Sequence, residues 1–169
     1  MQFSFSTLPR EAAGDFLMAA QRAEAAGIDA LWIADETLTP DPFVLTGAIA
    51  AATSRIGIGI GIADPAVRHP LHIARGAAAL ADLRQDGIIV GLGSGSERAR
   101  SAIGVSDADA AQTMRGAVLA IRGLLAGETV TVDAPAFRLD QARLRRLPPH
   151  PVEIVVAAQD ADMVRLASR

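Results

Sequence analysis

Glycine takes every second position in two short runs. Gly57, Gly59 and Gly61 alternate with Ile56, Ile58, Ile60 and Ile62, and Gly91, Gly93 and Gly95 repeat the arrangement further along. Alternate residues of an extended strand face opposite sides, so the four isoleucines point one way and the glycines leave bare backbone on the other. A flat ring can approach such a face to contact distance. A crowded sheet interior also calls for small residues, but two such strands in one chain, both running into polar loops, favour a ligand. Neither run is a dinucleotide fingerprint: G-x-G-x-x-G demands glycine at 96, 62 or 64, where the chain has Ser96, Ile62 and Asp64.

Other reactive side chains give weaker signals. His69 and His72 stand three apart at a helix start, but a metal needs three or four ligands, and both read as structural. His150 lies in a proline-rich loop. Ser94 and Ser96 have no base near them in sequence. Arg138, Arg143, Arg145 and Arg146 read as a solvated surface, lacking the interleaved aromatics that stack on bases. Met18, Met114 and Met163 fall on helices and read as core. Cysteine and lysine are both absent, which excludes disulfides, thiolate metal sites, Schiff-base chemistry and a P-loop.

The elements that must position these residues follow from composition and pattern. The chain has 169 residues, half of them hydrophobic, and a net charge of -3. That is enough for a real core in one domain, and it gives no whole-chain attraction to nucleic acid. No apolar run approaches the ~18–20 residues of a membrane span, and the N-terminus lacks a charged segment followed by a long apolar one. A cytoplasmic protein with neither a membrane nor a nucleic-acid partner is expected.

Strand-like and helix-like segments alternate. Strands are read at 2–8, 28–35, 56–64, 87–95 and 152–158, and helices at 10–27, 40–55, 69–84 and 107–127. A small hairpin is read at 128–140, and a further helix begins at 161–169. This spacing gives a parallel sheet with helical crossovers. An open doubly wound sheet and part of a (β/α)8 barrel both fit. Either one puts ligands at the carboxyl ends of the strands, here "ADET", "ADPAVRHP", "GSGSER" and "AAQDAD".

The stretches "GIGIGIADPAVRHP" and "LHIARGAAAL" resemble the third strand, loop and helix of the luciferase-like family of flavin- and F420-dependent oxidoreductases. The likeness is greatest to its methylenetetrahydromethanopterin reductase branch. "AQRAEAAGIDALWIADE", "DPFVLTGAIAAATSRI", "IIVGLGSGS" and "PVEIVVAAQ" carry the resemblance in family order. It runs from residue 16 onward and reaches the N-terminal half of the family only. The fold it implies is α/β, a partial (β/α)8 TIM barrel of about the first five strands, with a small β-hairpin insert before strand five. Residues 1–169 then form a single truncated domain.

The resemblance also implies a site. A non-prolyl cis peptide at Gly61–Ile62 bulges beneath the central ring of the cofactor. Asp35, Gly61, Ile62, Ala63, Ser94, Gly95 and Gln159 are the implied cofactor contacts, with Asp35 beside the deazaflavin ring and backbone N–H groups offered at Ser94 and Gly95. The position often held by a proton-moving histidine is Glu36, the candidate catalytic residue. The family's acid after the fourth strand is replaced by Ser96, with Glu97 one place late. Its phosphate-receiving Gly-Pro helix entrance is replaced by Gln159, Asp160, Ala161 and Asp162, whose two carboxylates compete with a phosphate for the helix dipole.

The implied activity is hydride transfer between coenzyme F420 and a small-molecule substrate, with no metal. The alternatives are an FMN-dependent monooxygenase of the same family and a shortened, non-catalytic relative. A partial barrel leaves strand edges open, so a homodimer or a partner covering the open edge is expected.

Overall fold

The computed structural model describes residues 3–10, 12–85, 87–106, 109–158, 164, 165 and 167. Five parallel strands form one sheet in the spatial order β1 (Ser4–Thr7), β2 (Ala30–Ile33), β3 (Gly57–Ala63), β4 (Ile88–Leu92) and β7 (Glu153–Val156). Helices α1 (Ala13–Ala25), α2 (Pro42–Ala52) and α3 (Pro70–Leu83) make the first three crossovers. The fourth contains α4 (Glu97–Ala102), α5 (Ala110–Leu125) and an antiparallel hairpin of β5 (Val130–Ala134) and β6 (Phe137–Ala142). The strand order never reverses, as it must in a doubly wound sheet. The fold is therefore a partial TIM-barrel-like α/β sheet with a hairpin insert before its fifth strand.

Two helices begin on proline at the first helical position, where a missing N–H loses no bond. The residue before each proline caps the next donors. Asp41 Oδ1 accepts from the N–H groups of Phe43 at 2.8 Å and Val44 at 3.2 Å, and His69 Nδ1 accepts from Leu71 N–H at 3.1 Å. His69 is structural, as its sequence context implies. The long helix expected over 107–127 is α5, capped by Asp109. The polar segment ahead of it holds α4, which apolar periodicity does not reveal; Ser96 Oγ caps it at Ala99 N–H, 3.0 Å away. The helix expected at 161–169 lies mostly outside the described residues, together with Met163.

The core lies between the sheet and the helices. Leu31, Ile33, Ile58, Ile60, Val90 and Leu92 are each at most 1% exposed and meet a helix layer rich in buried alanine, including Ala20, Ala74, Ala77 and Ala117. Small residues there let the helices approach closely, and each buried branched side chain contributes ~1.5–3 kcal/mol. Met114 joins this core, whereas Met18 does not: at 49% exposed it points away from the sheet. Phe3 and Phe5 are exposed near β1, whose second edge has no neighbouring strand among the described residues. No helix among the described residues is long and apolar enough to cross a membrane.

One carboxylate joins α1 to the entrance of β3. Glu24 Oε1 accepts from the backbone N–H groups of Ser54 at 2.8 Å, Arg55 at 2.6 Å and Ile56 at 3.1 Å. These bonds favour the charged form and lower the Glu24 pKa to about 2. A depressed carboxyl stabilises the fold fully above its unfolded pKa and loses that contribution as pH falls through its folded value. Urea unfolding between pH 7 and pH 2 is expected to show wild type losing stability from about pH 4.5 downward. Glu24→Ala should be weaker by about 1 kcal/mol at pH 7, the exposed bonds being screened by water, and should lack that part of the acid loss. Identical pH profiles for the two proteins would contradict this role.

Candidate functional site

β3 is irregular at its carboxyl end. Ile60 pairs with Val90 but Ala63 pairs with Leu92, so β3 advances three residues while β4 advances two. The extra residue is a β-bulge, and the Gly61–Ile62 bond inside it is cis, as the resemblance implies. The bulge redirects a side chain. Ile56, Ile58 and Ile60 stay buried on the helix side, but Ile62 crosses to the glycine side. A Cβ built on Gly93 would lie 2.8 Å from Ile62 Cδ1, and one on Gly91 would lie 3.1 Å from Ile62 Cγ2. The expectation that all four isoleucines share a face is thereby corrected.

The glycine face is not bare. Trp32 of β2 pairs with Gly59 and lies across β3: a Cβ on Gly59 would sit 2.5 Å from Trp32 Cδ2, and one on Gly61 would sit 3.0 Å from Cε3. The glycines make room for the chain's own indole and for Ile62, so the crowded-interior reading holds at Gly59, Gly91 and Gly93. Trp32 and Ile62, both half-buried, form an apolar wall on the inner side of the sheet.

Two ion-paired clusters tie the loops at the strand ends. Arg68, after β3, donates from Nε to Asp35 Oδ2 at 3.1 Å and from Nη2 to Asp41 Oδ2 at 2.9 Å, with its guanidinium carbon 4.9 Å from the Phe43 ring centroid. Asp64 accepts from Ala66 N–H at 2.9 Å through Oδ1, and through Oδ2 from Gly95 N–H at 2.9 Å and Arg100 Nη1 at 3.1 Å. Burial is the largest influence on Asp35 and raises its carboxyl above the usual range; Arg68 opposes the rise, and Asp41 and Asp64 add to it. His69 Nδ1 is an acceptor, which leaves the proton on Nε2, 3.2 Å from the carbonyl of Arg138 in the hairpin. A cleft of about 390 Å³ lined by Val67, Arg68, His69 and His72 opens beside this cluster.

The structure brings Asp35, Gly61, Ile62, Ser94 and Gly95 to one end of the sheet. The Gly95 N–H expected to serve a cofactor is already bonded to Asp64, whereas Ser94 is exposed and its N–H has no partner among the described residues. Ala63 is fully buried and has no surface to offer. Glu36 is exposed on the loop after β2. Gln159, Asp160 and Asp162 lie outside the described residues. No cluster of three metal-ligating side chains occurs among the described residues. Residue-by-residue reading misses Trp32, Asp64, Arg68 and Arg100, although the polar run after β3 marks where two of them stand.

A sequence model of the family described as luciferase-like monooxygenase matches residues 1–169. The chain belongs to this family. The match takes in the whole chain, first strand included, which corrects a likeness confined to the family's N-terminal half and beginning at residue 16. Within the luciferase-like family, the chain is 31% identical over 167 residues to an F420-dependent glucose-6-phosphate dehydrogenase of Beutenbergia cavernae, covering 92% of this chain and 50% of that protein. Its fold is similar to that of the coenzyme F420-dependent tetrahydromethanopterin reductase of Methanopyrus kandleri, with TM-score 0.85 and 21% identity over 98% of this chain and 52% of the other. A type II Baeyer–Villiger monooxygenase of Pseudomonas putida in complex with FMN shares the fold at TM-score 0.79 and 17% identity, over 92% and 51% of the two chains. Relatives thus divide between F420 and FMN, and the chain spans about half the length of the curated relatives it matches.

Asp64 supplies the test of this loop arrangement. Its side chain is only 9% exposed, so Asp64→Ala removes the acceptor of two backbone donors and leaves Arg100 without that carboxylate. Urea denaturation is expected to show a loss of about 2–4 kcal/mol, with a smaller loss for Asp64→Asn, which keeps an acceptor oxygen. An Asp64→Ala variant as stable as wild type would exclude the clamp.

Proposed function

We propose that the chain binds coenzyme F420 and takes part in hydride transfer between that deazaflavin and a small organic substrate. The observation that carries this reading is the β3 bulge. It turns Ile62 onto the face where Trp32 already lies, completing an apolar wall at the end of the sheet where Asp35 keeps one carboxylate oxygen, Oδ1, without a partner among the described residues. A flat heterocycle with polar edges suits those groups: the wall meets its face, Ser94 N–H donates to one edge, and Asp35 Oδ1 accepts from another. The bound cofactor supplies the hydride chemistry, and the chain supplies position and electrostatics.

A carboxyl that moves a proton works best when its pKa is drawn toward the working pH. Burial raises Asp35 in that direction, so it supports this role better than exposed Glu36. Glu36 remains the second candidate, reaching the site from the loop after β2. FMN is the alternative cofactor and brings the monooxygenase reading with it. Membership in a family whose relatives use either cofactor supports both.

Trp32 is the chain's single tryptophan, and its emission reports on the wall. F420 is expected to quench it with a dissociation constant of about 10–50 μM or tighter, equivalent to about 6–7 kcal/mol, and FMN more weakly. Tighter binding of FMN would replace this reading with the monooxygenase one. Binding of neither at about 50 μM would overturn both in favour of a non-catalytic relative.

A further inference from the structure

We infer that Arg68 is a positioning residue that aims the Asp35 carboxylate into the strand-end site. The inference rests on the proposed function, since the aim of that carboxylate matters only where a ligand meets it. Three contacts hold the guanidinium. Nε donates to Asp35 Oδ2, Nη2 donates to Asp41 Oδ2, and the group lies over the Phe43 ring. Asp41 is itself immobilised, because its other oxygen caps α2 at Phe43 and Val44. A continuous chain of bonds therefore runs from the start of α2 through Asp41 and Arg68 to Asp35, joining residues 33 apart in sequence.

The pairing leaves a defined remainder. Asp35 Oδ2 is taken by Arg68 and Oδ1 is not bonded among the described residues, so the guanidinium sets which oxygen a ligand N–H or O–H meets. The Asp35 and Arg68 side chains are 13% and 25% exposed, which keeps the pair shielded yet reachable. The planar guanidinium presents Nε and Nη2 to the two carboxylates at a fixed angle; a lysine ammonium replaces the charge but not that geometry. Among the described residues, the charges acting on Asp35 are Arg68 after β3, Asp41 before α2 and Asp64 just past the end of β3. Without Arg68, burial and both neighbouring carboxylates act on Asp35 in the same direction, toward the protonated form.

Two readouts on the purified chain test this. Carbon-13 NMR follows the Asp35 carboxyl titration without ligand, assigned by its loss in Asp35→Asn, and Trp32 quenching follows F420 affinity. Arg68→Gln is expected to move the Asp35 midpoint up by at least about one pH unit, a tenfold change in proton affinity, and to weaken F420 about tenfold. Arg68→Lys should return the midpoint close to wild type while leaving the affinity impaired, a split that general loosening of the loops does not produce. An unmoved midpoint in Arg68→Gln, or wild-type affinity in Arg68→Lys, overturns the inference. Where Arg68→Gln fails to fold, the affinity of Arg68→Lys decides alone. Failure of wild type to bind F420 removes the proposed function, and the midpoints still decide whether Arg68 governs Asp35.

Discussion

Trp32 can lie across β3 only because Gly59 has no Cβ. The parallel register sets these two residues side by side, and any larger residue at 59 would overlap the indole. Ile62 repeats the relationship one strand further on, turned by the bulge onto Gly91 and Gly93. Glycine weakens a strand through lost packing and added backbone freedom, and here each loss is offset by a bulky neighbour settled on the vacated backbone. The inner face of β2, β3 and β4 is thus built from Trp32, Ile62 and Ile89, the last paired beside Gly59, and the strand backbones beneath them. The helix-facing side has the opposite character, with branched residues projecting from β2, β3 and β4 into the alanine-rich helix layer.

The carboxylates differ by what surrounds them. Glu24 accepts three backbone donors near the surface, and these bonds lower its pKa to about 2. Asp64 is fully engaged, one oxygen in its own turn and the other shared between Gly95 and Arg100. Asp35 sits at the equivalent end of the neighbouring strand, but it has a single partner among the described residues, and burial lifts its pKa. Two carboxyls at adjacent strand ends therefore have different capacities: Asp64 closes loops together, and Asp35 is the one left able to answer a ligand. Asp41 belongs to both worlds, since one oxygen caps a helix and the other holds Arg68.

Local signals make much of this legible in the sequence. Proline after a capping residue marks the starts of α2 and α3, the hairpin read at 128–140 forms as β5 and β6, and the strand–helix alternation gives the parallel sheet. Period-two reasoning misplaces Ile62 because it assumes an unbroken strand, and a bulge is defined only against the partner strand. Trp32 escapes it for the same reason, since what covers Gly59 depends on register and not on spacing. Arg68 and Asp35 meet across a crossover whose path no local pattern specifies, and α4 is too short and polar to show periodicity. The first strand carries too few distinctive residues to signal the family locally, although the family match includes it.

The most direct test compares two glycines whose surroundings differ. Gly14, in the first turn of α1, has open space where a Cβ would stand, with no atom of another described residue within 4 Å beyond its neighbours in the helix, whereas Gly59 faces Trp32. Thermal unfolding and tryptophan emission of Gly14→Ala and Gly59→Ala separate backbone entropy from crowding. Gly14→Ala should be neutral or gain up to ~1 kcal/mol with unchanged emission. Gly59→Ala should lose about 1–3 kcal/mol and shift the emission of Trp32 to the red as the indole is pushed toward water. A Gly59→Ala protein as stable as Gly14→Ala, with its emission unmoved, would contradict the account.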